Sequence, residues 1–364
     1  MVNIKKIAEK LENMKKEFRT KKGQIVKNNI SKDIHFQLLT SAEERKLTIE
    51  ERKEYYKQLR EYVKQRKPQV TTPGATTLGP ILKKPTNTIA RAVTKLFVNK
   101  DVEWVCDGQE NIPEEAAIFA HTHQGILDNF VWIPTIDRHC LLLHGAEVNK
   151  LLLLAQMNTG LVLVKKEDKQ NNLDAKLDMI RHLTDGHSIV YFPEGTWNLS
   201  PNKLHLPMRH GFLDIARKAN VPVVPVVHEY TYDTTGERIK IAKIHTRYGT
   251  PIYISPEDDI QEKLEEYEEA ISTLKFELME EKGLFRRDEV DNSEYAKFLK
   301  ESHKNLALGQ LDWDKETRSI FGAGNDPFHY INDVPVDESG EFVDTPEVKR
   351  LRLINQKNGI GKRK

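Results

Sequence analysis

Ala116-Ala117-Ile118-Phe119-Ala120-His121-Thr122-His123-Gln124-Gly125-Ile126-Leu127-Asp128 is the stretch from which the fold is read. An apolar strand over Ala116–Ala120 gives way here to a helix expected near Leu127–Ile136. His123 and Asp128 cannot share one face of a straight helix, because five steps of 100° leave them about 140° apart. A turn must lie between them, and Gly125 permits it. His123 then sits at the strand end while Asp128, early in the helix, reaches back to its ring. Such a contact fixes the imidazole tautomer and leaves the other ring nitrogen as a general base. The same two residues occur at this separation by chance in many chains, so the pair gains weight only from the residues around it.

Outward from this stretch, short β-branched runs alternate with helical runs. Strands are expected at Val102–Val105, Ala116–Ala120, His139–Leu143, Leu161–Lys165, Ser188–Phe192, Pro222–Val227 and Ile239–Ile244. Helices are expected near Leu127–Ile136, Ala146–Gln156, Leu173–Thr184 and Gly211–Ala219. Leu173, Leu177, Ile180 and Thr184 share a face of the third, and Gly186 is placed to end it. The fold class is therefore α/β, a mixed, largely parallel central sheet flanked by helices, with added N-terminal and C-terminal helical segments. Residues 1–67 read as a basic helical extension, in which Ser41 and Glu44 form a capping box before a helix over Leu47–Val63. Residues 68–85 carry turn composition and read as a linker. The α/β domain occupies 86–255 and opens with an amphipathic segment, Thr86–Val98, whose alternatives are a helix packed on the core and a membrane-docking helix. Charged helices, Pro256–Glu281 and Asn292–Leu306, fill 256–308, and 309–364 is irregular.

The chain has 364 residues, 38% hydrophobic and 30% charged, so much of it belongs on solvated surfaces rather than in the core. Its net charge of +1 hides an asymmetry: residues 1–67 hold 19 Lys and Arg against 10 Asp and Glu, a balance of +9, and the rest carries −8. A segment of that kind attracts anionic headgroups, at about 1 kcal/mol per basic residue near the surface, or nucleic acid, or is simply a solvated helical face. Cys106 and Cys140 follow no ligand spacing, which points to a reducing compartment without disulfides or zinc. No apolar run reaches the roughly 18 residues of a bilayer span, and the lysine-rich start lacks an export signal's apolar stretch.

A second feature stands about 65 residues after the first. In Ile189-Val190-Tyr191-Phe192-Pro193-Glu194-Gly195-Thr196 a strand breaks at a proline and exposes a carboxylate, a glycine and a hydroxyl. Alone, this is an ordinary strand-to-loop turn. Taken with His123-Gln124-Gly125-Ile126-Leu127-Asp128, it closely resembles the glycerolphosphate and lysophosphatidate acyltransferase superfamily, whose HX4D and FPEGT motifs both stand here in order. Gly160–Lys166 resembles that family's glycine, hydrophobic and basic block. Leu206–Phe212 is similar to its basic residue and glycine before a helix, Val221–Val226 to its hydrophobic proline strand, and Arg247–Ile252 to its closing strand. The resemblance covers Val102 to Ile254 and neither end.

The resemblance implies that His123 deprotonates an acceptor hydroxyl as it attacks a thioester carbonyl, and that Asp128 orients His123 and stabilises its charged form. It implies that Lys166, Glu194, Gly195, Thr196 and Arg209 bind the acceptor, with the two cations on its phosphate. It also implies no cofactor and no metal, acyl-CoA or acyl carrier protein serving as the donor substrate. The expected partners are that thioester, a glycerol-phosphate or lysolipid-like acceptor and a membrane surface, and no nucleic acid. The expected location is cytoplasmic, peripheral on the cytoplasmic face of a membrane. Thr122, Gly125, Lys166 and Trp197 depart from the family's usual residues, so a lysolipid, glycerol phosphate and a non-glycerol hydroxyl all stay open as acceptor. His121, two residues before His123, invites an HxH metal reading, but no third ligand stands nearby; His182, His187, His205 and His228 are read as core or surface residues. No Gly-x-Ser-x-Gly elbow or P-loop is present. The rival reading is a non-catalytic lipid- or partner-binding protein that retains the fold.

Overall fold

A computed structural model of the chain describes residues 36–77, 98–123, 128–145, 160–165, 168–195, 204–205, 208–233 and 240–282. The chain divides into two compact units, Met1–Leu39 and Thr40–Lys364, and the sheet and its helices belong to the second. The expected helices Ala146–Gln156 and Asn292–Leu306 and the segment 309–364 lie outside the described residues, as does Thr86–Val98 except for Val98, which opens a strand.

In chain order the elements are α1 (Ser41–Glu44), α2 (Ile49–Gln65), β1 (Val98–Asp107), β2 (Ile118–His121), α3 (Asp128–Val131), β3 (Cys140–Gly145), β4 (Leu161–Val164), α4 (Lys169–Thr184), β5 (Ser188–Tyr191), α5 (Gly211–Ala219), β6 (Val223–Asp233), β7 (Lys240–Tyr248) and α6 (Ile260–Lys282). The strands form one seven-stranded sheet in the order β1-β7-β6-β2-β5-β3-β4. All neighbours are parallel except β6 and β7, which pair antiparallel. The expected α/β class, with its mixed and largely parallel sheet, is what the chain adopts. β2 is buried at every residue, as a central parallel strand covered on both faces must be.

Alternation along the strands builds the core that supports the site. Phe119, Leu142, Val190, Val224, Val226 and Tyr230 pack with Trp132, Ile133 and Ile136 in one buried cluster. The helix expected over Leu127–Ile136 stops at Val131 and continues as turns. Pro134 explains this, since the residue before a proline is disfavoured in the helical region. β6 runs six residues past the expected end at Val227, because its ladder with β7 continues to Asp233 paired with Lys240. α4 begins at Lys169 rather than Leu173, where the Asp168 side chain caps the Asn171 N–H. Leu173, expected on its inner face, is 37% exposed.

The N-terminal boundary also differs from expectation. α2 buries Tyr56, Leu59 and Val63 and packs on α4 and α5, so it is part of this unit rather than an extension from it. The expected linker is, over its described residues, tied down. Asp178 on α4 accepts from the backbone N–H groups of Gln69 and Val70, at 2.8 and 2.9 Å, and from the Thr71 hydroxyl at 2.9 Å. Arg66 pairs with Asp174 and Asp178, and Thr71 forms a β-bridge with Val162. Turn composition mimics a linker because both offer backbone groups unpaired within the segment; here a distant carboxylate collects them. The expected Ser41–Glu44 capping box is replaced by two others, Thr40 with Glu43 and Thr48 with Glu51. Glu44 turns inward instead, to Tyr56, Arg217 and Lys218. Among the described residues no helix is long and apolar enough to cross a membrane.

Candidate active site

The site lies at the C-terminal ends of β2 and β5, the edge at which open parallel sheets bind ligands. Past His121, Thr122 holds the chain on β6 for one more residue: its N–H donates to Val226 at 3.0 Å, and its hydroxyl oxygen accepts from the His228 N–H at 3.1 Å. His123 then leaves the sheet, and its N–H donates to Oε1 of Glu194 at 2.8 Å. Glu194 belongs to the turn after β5, which the Gly195 N–H closes on the Phe192 carbonyl at 3.0 Å. Gly195 has φ 65°, a left-handed conformation that a side chain would disfavour. The two loops are thereby pinned to each other through one carboxylate.

The His123 ring stacks on Phe192, centroids 4.2 Å apart and planes 23° off parallel. Its Nδ1 lies 2.9 Å from Oδ2 of Asp128, the first residue of α3 and wholly buried. The Tyr230 hydroxyl donates to the other oxygen, Oδ1. Burial by itself pushes the Asp128 carboxyl upward, but the hydrogen bond and charge of His123, the charge of His228 and the Tyr230 hydroxyl together hold it below the ordinary carboxylate value. Asp128 is therefore ionised and can only accept, so Nδ1 of neutral His123 carries the proton and Nε2 the lone pair. The turn expected at Gly125 lies outside the described residues.

Three further histidines surround this pair. His121 and His228, on neighbouring strands, stack with Nδ1 and Nε2 2.7 Å apart, and Nδ1 of His228 meets the Thr246 hydroxyl at 3.0 Å. Burial, and then the charges of His228 and His123, push His121 well below the usual imidazole value. Burial likewise takes His228 down to about 4, against a partial upward pull from Asp128. His144 at the end of β3 is lowered by burial, against its bond to the Gly145 carbonyl. All three are neutral at pH 7. Among the described residues no cluster of three or more His, Cys, Asp or Glu side chains suits a metal ion. Neither Cys106 nor Cys140 is joined in a disulfide.

Of the residues expected from the sequence, His123, Asp128, Glu194 and Gly195 come together. Arg209 is exposed, with its N–H 3.4 Å from the Pro193 carbonyl, and its charge offsets part of the upward push of burial on Tyr191, at the end of β5. Lys166 and Thr196 lie outside the described residues. Tyr230 and the His121–His228 pair were not anticipated as members of the site. Their signal was the alternation of Val226, His228 and Tyr230 along a strand expected to end at Val227.

Residues 103–229 match the family model described as Acyltransferase. A chloroplastic 1-acyl-sn-glycerol-3-phosphate acyltransferase of Brassica napus is 28% identical over 133 residues, 36% of this chain and 37% of its own. The enzyme of that name from Borreliella burgdorferi is 26% identical over 175 residues, 46% of this chain and 66% of its own. The chain thus spans less than two thirds of the length of these relatives. The crystal structure of the 1-acyl-sn-glycerophosphate acyltransferase PlsC from Thermotoga maritima aligns over 51% of this chain and 76% of its own, at 22% identity and a TM-score of 0.39. The span matched by that model, residues 103–229, holds His123, Asp128, Glu194 and Arg209.

Proposed function

We propose that this protein is an O-acyltransferase that moves a fatty acyl group from a thioester of coenzyme A or acyl carrier protein to a hydroxyl of a glycerol-phosphate or lysophospholipid-like acceptor, in phospholipid biosynthesis. The observation that carries the reading is the buried Asp128 carboxylate at 2.9 Å from Nδ1 of His123, in a span that matches the Acyltransferase family model. Nε2 of His123 takes the acceptor's hydroxyl proton while the oxygen attacks the thioester carbonyl. The Asp128 carboxylate stabilises the resulting imidazolium. As the tetrahedral adduct collapses, the carbon–sulfur bond breaks and the thiolate takes the proton from His123, leaving an ester, a thiol and a neutral base. The reaction needs a base and correct placement rather than a redox group, because the thioester is already activated.

In this reading Arg209 and Lys166 bind the acceptor's phosphate, Gly195 and Thr196 contribute to acceptor binding, and Glu194 holds the backbone of His123. The relatives' names, 1-acyl-sn-glycerol-3-phosphate acyltransferase, support a lysophosphatidate-like acceptor. An acceptor of that kind resides in a bilayer interface, and the basic balance of residues 1–67 suits a peripheral position on the anionic cytoplasmic face.

Release of free thiol from acyl-CoA is measured with a panel of lysolipids and glycerol phosphate. The wild type is expected to turn over at least one pair, and His123→Ala to lose about 10²–10⁴-fold in kcat, the usual worth of a positioned general base. Unchanged turnover in His123→Ala overturns the mechanism. Failure of the wild type on every pair favours a binding protein that retains the fold.

A further inference from the structure

Both oxygens of the Asp128 carboxylate are held, by different parts of the molecule. Oδ2 meets His123 five residues away in sequence, whereas Oδ1 accepts from Tyr230, 102 residues further along. Strand geometry explains how so distant a residue arrives there. Val226 pairs with His121, the last residue of β2, so Tyr230 lies past the end of that strand, where His123 and Asp128 leave the sheet. Its side chain shares the face of Val224 and Val226, and its ring packs in the cluster with Phe119, Trp132 and Ile244. Being 4% exposed in a close-packed core, that ring sets where the hydroxyl stands.

A carboxylate rotates about its Cβ–Cγ bond in a broad, two-fold well. One hydrogen bond to a ring at the mouth of the site does not stop that rotation, and a rotated Asp128 lets the imidazole tilt or take the other tautomer. A second bond, to a group fixed in the core, removes the freedom. We infer that Tyr230 is a positioning residue for the dyad: acting through Asp128, it keeps the His123 ring oriented with Nδ1 protonated and Nε2 available to the acceptor hydroxyl. The inference rests on the reading of His123 as the base, and its tests include one that does not depend on turnover.

Tyr230→Phe removes one oxygen and keeps the ring. It is expected to lower kcat roughly ten- to hundredfold, a fraction of the about 10²–10⁴ that the base supplies, with KM for both substrates unchanged. In an Asp128→Ala background the same substitution is expected to lower kcat no further, since the group through which it acts is gone. Equal losses in the two backgrounds overturn the inference. Nitrogen-labelled histidine spectra of the full chain give an independent reading, with His123 assigned by the signals lost in His123→Ala. The wild type is expected to show the single Nδ1–H tautomer and Tyr230→Phe a mixture; an unchanged His123 signature overturns the inference whatever kcat does. If the wild type turns over no thioester, the acyltransferase reading fails while the tautomer comparison still decides the part of Tyr230. If Tyr230→Phe does not fold, the Asp128→Ala/Tyr230→Phe double variant decides, because removing both partners of a buried bond is far less costly than removing one. A folded double variant supports the coupling, and an unfolded one assigns Tyr230 to packing and overturns it.

Discussion

Glu194 accepts the backbone N–H of His123 while only 7% exposed, and that contact separates two roles open to it. As a ligand of acceptor hydroxyls it needs its charge; as a holder of the His123 backbone it needs an acceptor oxygen in the right place. Glu194→Gln keeps such an oxygen and loses the charge, whereas Glu194→Ala loses both. The backbone role predicts that Gln retains most of kcat while Ala falls roughly tenfold, the worth of one hydrogen bond of about 1.4 kcal/mol. Equal loss in the two variants, with KM for the acceptor raised, returns Glu194 to substrate binding. The residue was legible in the sequence as part of a strand-end loop, because a broken strand followed by a charge and a glycine is a local pattern. Its partner was not legible, since it is 71 residues away and is a backbone group, which no side-chain pattern marks.

Helix α2 was visible as a helix, with capping residues and apolar positions at helical spacing, but its place was not. Its hold on the α/β unit comes from scattered polar groups converging on α4 and α5: Arg60 on the Lys218 carbonyl at 3.0 Å, Arg66 on Asp174 and Asp178, and the backbone of residues 69 and 70 on Asp178. Asp178 is wholly buried, so removing its carboxylate leaves two backbone N–H groups without their acceptor and Arg66 with Asp174 as its remaining carboxylate. Asp178→Ala is accordingly expected to lower unfolding free energy in urea by about 3–5 kcal/mol, the cost of breaking a buried ion pair from one side. A loss of under about 1 kcal/mol, the scale of exposed pairs, refutes the view that this carboxylate docks the N-terminal segment.

Across the whole unit, acid sensitivity arises from buried imidazoles. His182 is pushed down to about 4 by burial first, then by the charges of His187 and Arg181 against the pull of Asp185, and His228 to about 4 as well. In the unfolded chain both titrate near the ordinary value of 6.5. As pH falls below 6.5 the unfolded state therefore binds protons that the folded state refuses, and stability drops until about pH 4. Each residue removes roughly 2 kcal/mol between pH 7 and pH 5, at about 1.36 kcal/mol per pKa unit. Asp128 works in the opposite window. Its lowered pKa contributes stability above the ordinary carboxylate value, lost only as pH falls through its folded value. Urea unfolding at pH 7 and pH 5 should show His182→Gln, away from the dyad, with a shallower pH dependence than the wild type; an unchanged dependence refutes the assignment.

Local patterns along the chain specify the class of the fold, the order of strands and helices among the described residues of the central region, and the pairing of His123 with Asp128. Each of these rests on spacings of a few residues, which chain geometry converts directly into structure: a period of two for strands, 3.6 for helices, a turn wherever both ends of a pair must meet. Long-range packing alone sets Tyr230 on Asp128, Glu194 on the His123 backbone and His121 against His228, and joins residues 40–77 to the body of the protein. Those contacts join positions 71 or more residues apart, such as His123 with Glu194 and, at 173, Glu44 with Arg217. A sheet whose strand order differs from chain order brings such positions together, and no local spacing encodes that order.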